Sequence, residues 1–220
     1  DEGLTGDLDV HGSVEILGAG ATMTTIDANG IDRVLHLHAI GGSASSRLED
    51  VAITGGLANG QPAGVLVSTA ADLTIERCEI YGNSNTTTSL GAVRSGIGSV
   101  LILRDSTVHD NVGGGVTNSQ GEVQIFNTTF SNNDGAELQI TASGTGYCNH
   151  CTVRDTTPKA LAEVRVADSN LELANTAILG TCELFDGGTI TSFGGNLESP
   201  GATCTLIHAT DQDGVVNHGL

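Results

Sequence analysis

Apolar positions recur along the chain in groups of four, and successive groups begin 22 to 28 residues apart. In the group formed by Leu73, Ile75, Cys78 and Ile80, a three-residue step separates two pairs of alternate residues. Alternation is the period of a β-strand, and the longer step breaks it, so the pattern predicts two short strands that meet at a bend. The pattern returns at Leu101, Leu103, Ser106 and Val108, at Val123, Ile125, Thr128 and Phe130, and at Leu171, Leu173, Thr176 and Ile178, with weaker copies at Ser46, Leu48, Val51 and Ile53 and at Gly146, Cys148, Cys151 and Val153.

A third short apolar stretch follows most groups, and its inward candidates are Val65, Val93, Val116, Leu138 and Val164. Three short strands in a repeat of about 25 residues suit a coil whose turns stack into three parallel sheets. No segment sustains the spacing of an amphipathic helix, and a sandwich of hairpins would not align columns at this period. We therefore predict an all-β fold, a single-stranded parallel β-helix (solenoid) with about seven to nine rungs of three short strands.

Stacking would place equivalent residues of successive turns in columns about 4.8 Å apart. The column at the bend holds residues small enough for a tight corner, namely Val51, Cys78, Ser106, Thr128, Cys151 and Thr176. Two outward columns carry charges of alternating sign, Glu49, Glu76 and Arg104 in one and Asp50, Arg77 and Asp105 in the other. Among these, Asp50, Arg77 and Asp105 are the candidate catalytic residues. Exposed ion pairs along a solvated face are the competing interpretation.

A further column contains the asparagines Asn83, Asn111 and Asn133. Turned inward, their amides could bond to neighbouring turns and form an asparagine ladder. Asparagine also tolerates the left-handed conformation of turns, so these residues could simply serve as turn residues. The sequence leaves both interpretations open.

Composition narrows the possible functions. The 220 residues include 31 glycines, 3% aromatic residues and 38% hydrophobic residues, an aliphatic content that argues against disorder. No apolar run reaches the ~20 residues of a membrane span, so we expect no membrane insertion. With 26 acidic and 8 basic residues, the net charge is −18, and nucleic-acid binding is not expected because phosphate contacts need clustered cations.

The chain resembles secreted bacterial right-handed parallel β-helix proteins of the pectate-lyase-like superfamily, and most closely the group whose precursors carry a CSLREAI segment. The resemblance rests on Thr5-Gly6-Asp7-Leu8-Asp9-Val10, Ile16-Leu17-Gly18-Ala19-Gly20, residues 25–34, the repeat from Leu101 to Val108 with Asp110-Asn111, and the ending from Asn175-Thr176-Ala177-Ile178-Leu179 through residues 191–197. It implies a secreted or cell-surface protein but no particular reaction. The CSLREAI segment is missing, as is the usual C-terminal continuation, so we expect a piece of a larger precursor. Residues 1–180 would form the β-helix, and residues 181–220 would form its terminal, capping segment.

Five cysteines fit an extracellular compartment. A Cys182–Cys204 bridge would close a loop of about 20 residues, which stabilises by about 3 kcal/mol, and similar pairs occur in the resembling family. Cys148 and Cys151 suggest a redox or zinc motif, but both fall on inward columns. A disulfide across the corner or two buried thiols are therefore the alternatives. Cys78 is expected to be a buried free thiol.

Other candidate sites are single motifs. Asn85 and Asn127 match the N-glycosylation pattern, with Asn85 expected in an exposed loop and Asn127 outward at a corner. His36 and His38 project to one face and could bind a metal if a third ligand lies close to them. An ordinary surface strand with polar residues at alternate positions would show the same sequence pattern. No other cofactor is expected. Ca²⁺ is possible near Asp110 and Asp134, where turn carbonyls could add ligands.

Two classes of function compete. The first is an extracellular structural or adhesive module that binds glycans or surface proteins and stacks head to tail into a fibre. Such stacking would follow from uncovered first and last turns, since heterologous contacts that do not close make filaments. The second is a polysaccharide lyase or hydrolase on an outer face, for which outward aromatic residues such as Tyr81 and Phe126 would stack on sugar rings. The acidic surface disfavours polyanionic substrates unless Ca²⁺ bridges them.

Overall fold

The strands of the protein stack into three long parallel sheets. The computed structural model describes residues 6–39, 42–86, 90–156, 159 and 161–215, and within them the chain forms 26 strands and no helix. Sheet A contains, in stacking order, β1 (Leu8–His11), β4 (Leu35–His38), β8 (Val65–Val67), β12 (Val93–Ser95), β15 (Val116–Ser119), β18 (Leu138–Thr141), β21 (Val164–Ala167) and β24 (Cys182–Phe185).

The other two main sheets have eight strands as well. Sheet B contains β2 (Glu15–Leu17), β5 (Ala44–Glu49), β9 (Ala71–Glu76), β13 (Val100–Arg104), β16 (Glu122–Phe126), β19 (Thr145–Asn149), β22 (Asn170–Ala174) and β25 (Thr189–Ser192). Sheet C contains β3 (Thr25–Asp27), β6 (Ala52–Thr54), β10 (Glu79–Tyr81), β14 (Thr107–His109), β17 (Thr129–Ser131), β20 (Thr152–Arg154), β23 (Ala177–Gly180) and β26 (Leu197–Pro200). A fourth, short sheet pairs β7 (Leu57–Ala58) with β11 (Ser84–Asn85).

The register between turns confirms the β-solenoid prediction. Leu73 is aligned with Leu101, Leu101 with Val123, and Ile80 with Val108, all in parallel pairs. Eight strands per sheet agree with the expected number of turns. The predicted inward residues of the third strand, Val65, Val93, Val116, Leu138 and Val164, are all buried.

The bend between sheets B and C has a backbone cause. The residue just before the small corner position adopts a left-handed conformation in six turns, with φ between 46° and 58°, at Asp50, Arg77, Asp105, Asn127, His150 and Asn175. Short polar residues tolerate this conformation better than others, which explains why aspartate and asparagine dominate the column. The primary role of the charged residues in this column is therefore to form the corner.

The interior is filled by stacked aliphatic side chains, with Phe130 as the largest fully buried one. Gly146 replaces an aliphatic residue in the column that also contains Val123 and Leu171. A Cβ atom at Gly146 would lie 2.9 Å from Leu171 Cδ1 and 3.0 Å from Ile140 Cδ1, so larger neighbours already occupy its space. This replacement explains why the repeat pattern is weak there.

Residues 201–215 fold over the last turn. Cys204 and Leu206 are buried in the core, and Gln212 donates its backbone N–H to Asn196 and accepts one from Glu198. This segment continues directly from β26 and is called the capping segment below. It covers strands that would otherwise present open edges.

Candidate functional site

Five charged residues form a corner cluster on the outer face where sheets B and C meet. The guanidinium of Arg77 donates two hydrogen bonds of 3.0 Å to Asp50 and one to Glu76, and it also contacts Glu49. Arg47, which the sequence analysis did not single out, pairs with Glu49 and with Glu76 at 2.9 Å. The cluster thus joins neighbouring turns through ion pairs.

The remaining members of the predicted charged columns lie outside the corner cluster. Asp105 accepts a hydrogen bond of 2.6 Å from Asn127 on the following turn, and the guanidinium carbon of Arg104 lies 5.3 Å from the ring centroid of Phe126. The three catalytic candidates share a column, but their contacts do not bring Asp105 to Arg77. Arg77 is already surrounded by carboxylates, so the arrangement favours structural pairing.

Asn83, Asn111 and Asn133 are buried and form a ladder across three turns. The side-chain amide of Asn83 donates to Asn111 Oδ1 at 3.0 Å, and that of Asn111 donates to Asn133 Oδ1 at 2.8 Å. Each amide nitrogen also donates to a backbone carbonyl of the preceding turn, as from Asn111 to Ile80 at 3.0 Å. The inward interpretation is therefore the one that the contacts support.

The ladder ends on a buried ion pair. Glu137, which is fully buried, accepts hydrogen bonds from the backbone and side-chain nitrogens of Asn133. Lys159 Nζ lies 3.0 Å from Glu137 Oε1 and 3.1 Å from Asp155 Oδ2, and it donates to the Asn133 carbonyl at 3.0 Å. Burial raises the pKa of Glu137 above its ordinary value, and the Lys159 ammonium opposes that rise. The sequence analysis did not single out Lys159 or Glu137.

A second cluster, here called the histidine cluster, lies on the outer face of sheet A. It consists of Asp9 and His11 on β1 and of His36 and His38 on β4, where Asp9 is in register with His36 and His11 with His38. Asp9 Oδ1 lies 3.5 Å from His36 Nδ1 and 3.2 Å from His38 Nε2. The third ligand that the two histidines needed is therefore present, one repeat length earlier in the sequence.

The electrostatics of the histidine cluster keep one imidazole neutral. Burial and the nearby positive charge of Arg33 lower the pKa of His36 to about 4, despite the opposing effect of Asp9. Arg33 itself is paired with Asp7 at 3.0 Å. A neutral imidazole beside a carboxylate is a donor set that can hold a transition-metal ion.

A groove of about 290 Å³ crosses the outer face of sheet B. It is lined by Glu122, Val123, Thr145, Gly146, Tyr147, Asn170 and Glu172. Tyr147 packs edge-on against Phe126, with ring centroids 5.7 Å apart, so an outward aromatic pair borders the groove. The other outward tyrosine, Tyr81, stacks on His109 at 5.4 Å on sheet C. The groove therefore combines an aromatic surface with carboxylate and amide groups.

Both cysteine pairs form disulfides in the structure. Cys182 is bonded to Cys204, which attaches the capping segment to β24, and Cys148 is bonded to Cys151 across a corner. Cys78 is a buried free cysteine, and burial raises the pKa of its thiol. These contacts leave the CxxC pair without the exposed thiols that redox or zinc chemistry requires.

One glycosylation candidate differs from its expectation. Asn85 was predicted in an exposed loop, but it is 3% exposed and its amide donates to the Leu90 carbonyl at 2.8 Å. Asn85 lies on β11, which pairs with β7, so this prediction is wrong about its accessibility, while Thr87 of the same motif lies outside the described residues. Asn127 is exposed at a corner, as expected.

Of the calcium candidates, Asp110 is hydrogen-bonded to His109 Nδ1 at 2.7 Å, and Asp134 is exposed.

The fold and these surfaces define a β-solenoid with an interior of mainly aliphatic side chains, and the corner cluster, the histidine cluster and the groove lie on its outer faces. A family model described as a right handed beta helix region matches residues 16–210, so the chain belongs to the right-handed β-helix family. Neither the curated proteins nor the solved structures that were compared gave a match. None of the described residues belongs to a helix that is long and apolar enough for a membrane span.

Proposed function

We propose that the protein is an extracellular or cell-surface structural module of the CSLREAI type that adheres to glycans through the outer face of sheet B. The observation that carries this proposal is the groove around Tyr147, where an aromatic ring, two carboxylates and an amide share one exposed face. Sugar rings stack on aromatic faces and present hydroxyl groups to such polar side chains. Two disulfides support a secreted location.

A neutral glycan suits the groove better than an acidic one. The chain has a net charge of −18, and Glu122 and Glu172 add two carboxylates to the groove itself. A polyanionic chain would be repelled at this face unless Ca²⁺ bridged the two surfaces. The proposed ligand is therefore a neutral polysaccharide.

The alternative function, a polysaccharide lyase or hydrolase, would use the same face. Glu122 and Glu172 are the observation in its favour, because glycoside hydrolysis uses a pair of carboxylates beside the scissile bond. The corner cluster with Asp50 and Arg77 gives less support, since its arginine is surrounded by carboxylates. Product formation separates adhesion from catalysis.

Head-to-tail stacking into a fibre belongs to the proposed structural role, and the capping segment bears on it. This segment covers the last turn, with Cys204 and Leu206 in the core and Gln212 hydrogen-bonded to Asn196 and Glu198. A fibre would require residues 201–215 to leave the last turn. Negative-stain images of the concentrated protein distinguish filaments from isolated rods.

The test replaces Tyr147 by alanine and measures binding to soluble neutral polysaccharides by affinity electrophoresis and calorimetry. We expect the wild type to bind and Tyr147→Ala to bind about 5-fold more weakly, since aromatic stacking contributes about 1 kcal/mol. Tyr81→Ala is the matched control, because it removes the outward tyrosine of a different sheet and leaves the groove intact.

Equal loss of binding in Tyr147→Ala and Tyr81→Ala, or no binding by the wild type, would contradict the proposal. The same polysaccharides, together with pectin and alginate with and without Ca²⁺, are incubated with the wild type and assayed for new reducing ends and unsaturated products. Such products would replace the adhesive function by the enzymatic alternative.

A further inference from the structure

The strand register brings four metal-ligand side chains onto one small patch of sheet A. Asp9 and His11 alternate with inward residues on β1, and His36 and His38 do so on β4. Because Asp9 aligns with His36 and His11 with His38, the four side chains form two adjacent pairs across neighbouring turns. From this arrangement we propose that Asp9, His36 and His38 bind a divalent transition-metal ion of the zinc type.

The distances fit a small ion with short bonds. Ligand atoms about 2.0 to 2.1 Å from a tetrahedral Zn²⁺ lie ~3.3 Å from one another. Asp9 Oδ1 lies 3.5 Å from His36 Nδ1 and 3.2 Å from His38 Nε2, and the three ligand atoms all lie within 4.8 Å of one another. Small side-chain rotations would therefore place all three around one ion.

A neighbouring hydroxyl orients one ligand. The second ring nitrogen of His36, Nε2, lies 2.7 Å from Ser68 Oγ on the following turn. With Nε2–H donating to this hydroxyl, Nδ1 carries the lone pair that faces Asp9 and the ion. Metal-binding histidines are commonly held by such a hydrogen bond from their other nitrogen.

The donor set selects the class of metal. Two imidazoles and one carboxylate suit Zn²⁺, Cu²⁺ or Ni²⁺, whereas Ca²⁺ and Mg²⁺ prefer oxygen ligands. The side chain of His38 is 29% exposed, so a fourth ligand position faces solvent. Three protein ligands from two successive turns would also tie β1 to β4, and the bound ion would stabilise the first turn of the coil.

The experiment uses the whole chain without a histidine tag, with both disulfides intact, after treatment with a chelator. Calorimetry with Zn²⁺ at neutral pH is expected to show one site with micromolar or tighter affinity, and Zn²⁺ should raise the unfolding temperature. Asp9→Asn and His38→Gln should each weaken binding at least about 10-fold, and Ser68→Ala about 10-fold. His150→Asn is the control, since His150 lies at an exposed corner outside the cluster and should leave affinity unchanged.

Cobalt provides a readout that needs no variant. Co²⁺ bound to the wild type should give the intense visible bands of a four-coordinate ion, and excess Zn²⁺ should abolish them. The proposal is overturned if the wild type shows no saturable site. It is equally overturned if Asp9→Asn and His38→Gln, folded by circular dichroism, keep wild-type affinity, or if His150→Asn loses as much.

Discussion

At the scale of single residues, the charged groups of this protein divide into partly exposed residues at the corners and a few buried residues. Lys159 is the only lysine in the chain, and it lies against the buried Glu137 at the end of the asparagine ladder. Asp50 and Arg77, by contrast, are partly exposed, and such pairs contribute about 0–1 kcal/mol each. The stability of the molecule should therefore depend far more on the Lys159–Glu137 pair than on the corner cluster.

Lys159→Met should lower the free energy of unfolding by about 3 to 5 kcal/mol, because it leaves the Glu137 carboxylate buried without its cation. Urea denaturation at neutral pH measures the change. In the double variant Glu137→Gln/Lys159→Met, the amide oxygen still accepts one of the two hydrogen bonds from Asn133 and no carboxylate is left at position 137, so part of the lost stability should return. A loss in Lys159→Met no larger than that in Arg77→Met would contradict the assignment.

At the scale of elements, the capping segment is held by a disulfide and by one buried carboxylate. Glu198 accepts hydrogen bonds from the backbone N–H groups of Thr203 at 2.6 Å and Cys204 at 2.8 Å, beside the Cys182–Cys204 bond. Asp213, in the same segment, lies next to Glu198, and the negative charge of Asp211 also acts on it. Loss of hydration and the Glu198 carboxylate raise the pKa of Asp213 to about 6.

This raised pKa predicts how the capping segment responds to pH. In the folded protein Asp213 keeps its proton up to about pH 6, whereas in the unfolded chain it loses the proton near the ordinary aspartate pKa of 3.8. Because the folded state binds more protons between these values, the contribution of Asp213 to stability falls as pH rises from about 4 to about 6. Asp213→Asn should remove this part of the pH dependence.

Urea denaturation of the wild type and of Asp213→Asn across this pH range measures the effect as the difference between the two curves. Hydrogen exchange of residues 201–215 then shows whether the change is local to the capping segment. Asp134→Asn, which replaces an exposed aspartate far along the chain, serves as the control. A pH-independent difference between wild type and Asp213→Asn would contradict the assignment.

At the scale of the whole molecule, the coil combines a mostly aliphatic interior with a strongly acidic exterior. Glu137 and Glu198 are buried, but most of the 26 acidic residues and 8 basic residues lie at corners, on outer faces and in loops. Even if every basic group were paired, a large negative excess would remain. Repulsion between these carboxylates opposes the compact state.

Neutral salt should consequently stabilise the protein. Raising NaCl from about 10 mM to about 500 mM shortens the screening length severalfold and weakens repulsion among many carboxylates, while it weakens only a few exposed ion pairs. The unfolding temperature at neutral pH should therefore rise, as followed by circular dichroism. A fall with added salt would mean that ion pairs such as those of Arg77 outweigh the repulsion.

The sequence predicted the fold well because a parallel solenoid repeats one local pattern. The position of Ile80 relative to Cys78 and Ile75 depends only on strand alternation and a bend, which neighbouring residues decide. The columns, their inward members and the small corner residues followed from that rule. The pairing of Cys182 with Cys204 was also predicted, from the terminal segment that the two cysteines flank and from similar pairs in the resembling family.

The sequence could not decide contacts that depend on the register between turns or on how a loop folds back. Asp9 meets His36 and His38 only because β1 and β4 align without a slip, although their separation by one repeat length was a usable signal. The burial of Asn85 follows the pairing of β11 with β7, and Lys159 contacts Glu137 from 22 residues further along the chain, so no local pattern encodes either contact.

The sequence by itself thus determined the solenoid, its interior and its corners, because these repeat with a short period. Only the tertiary structure decided which outward side chains meet, because that requires turns distant in sequence to be placed in register. The histidine cluster, the groove beside Tyr147 and the ion pair of Glu137 with Lys159 were all decided by the tertiary structure.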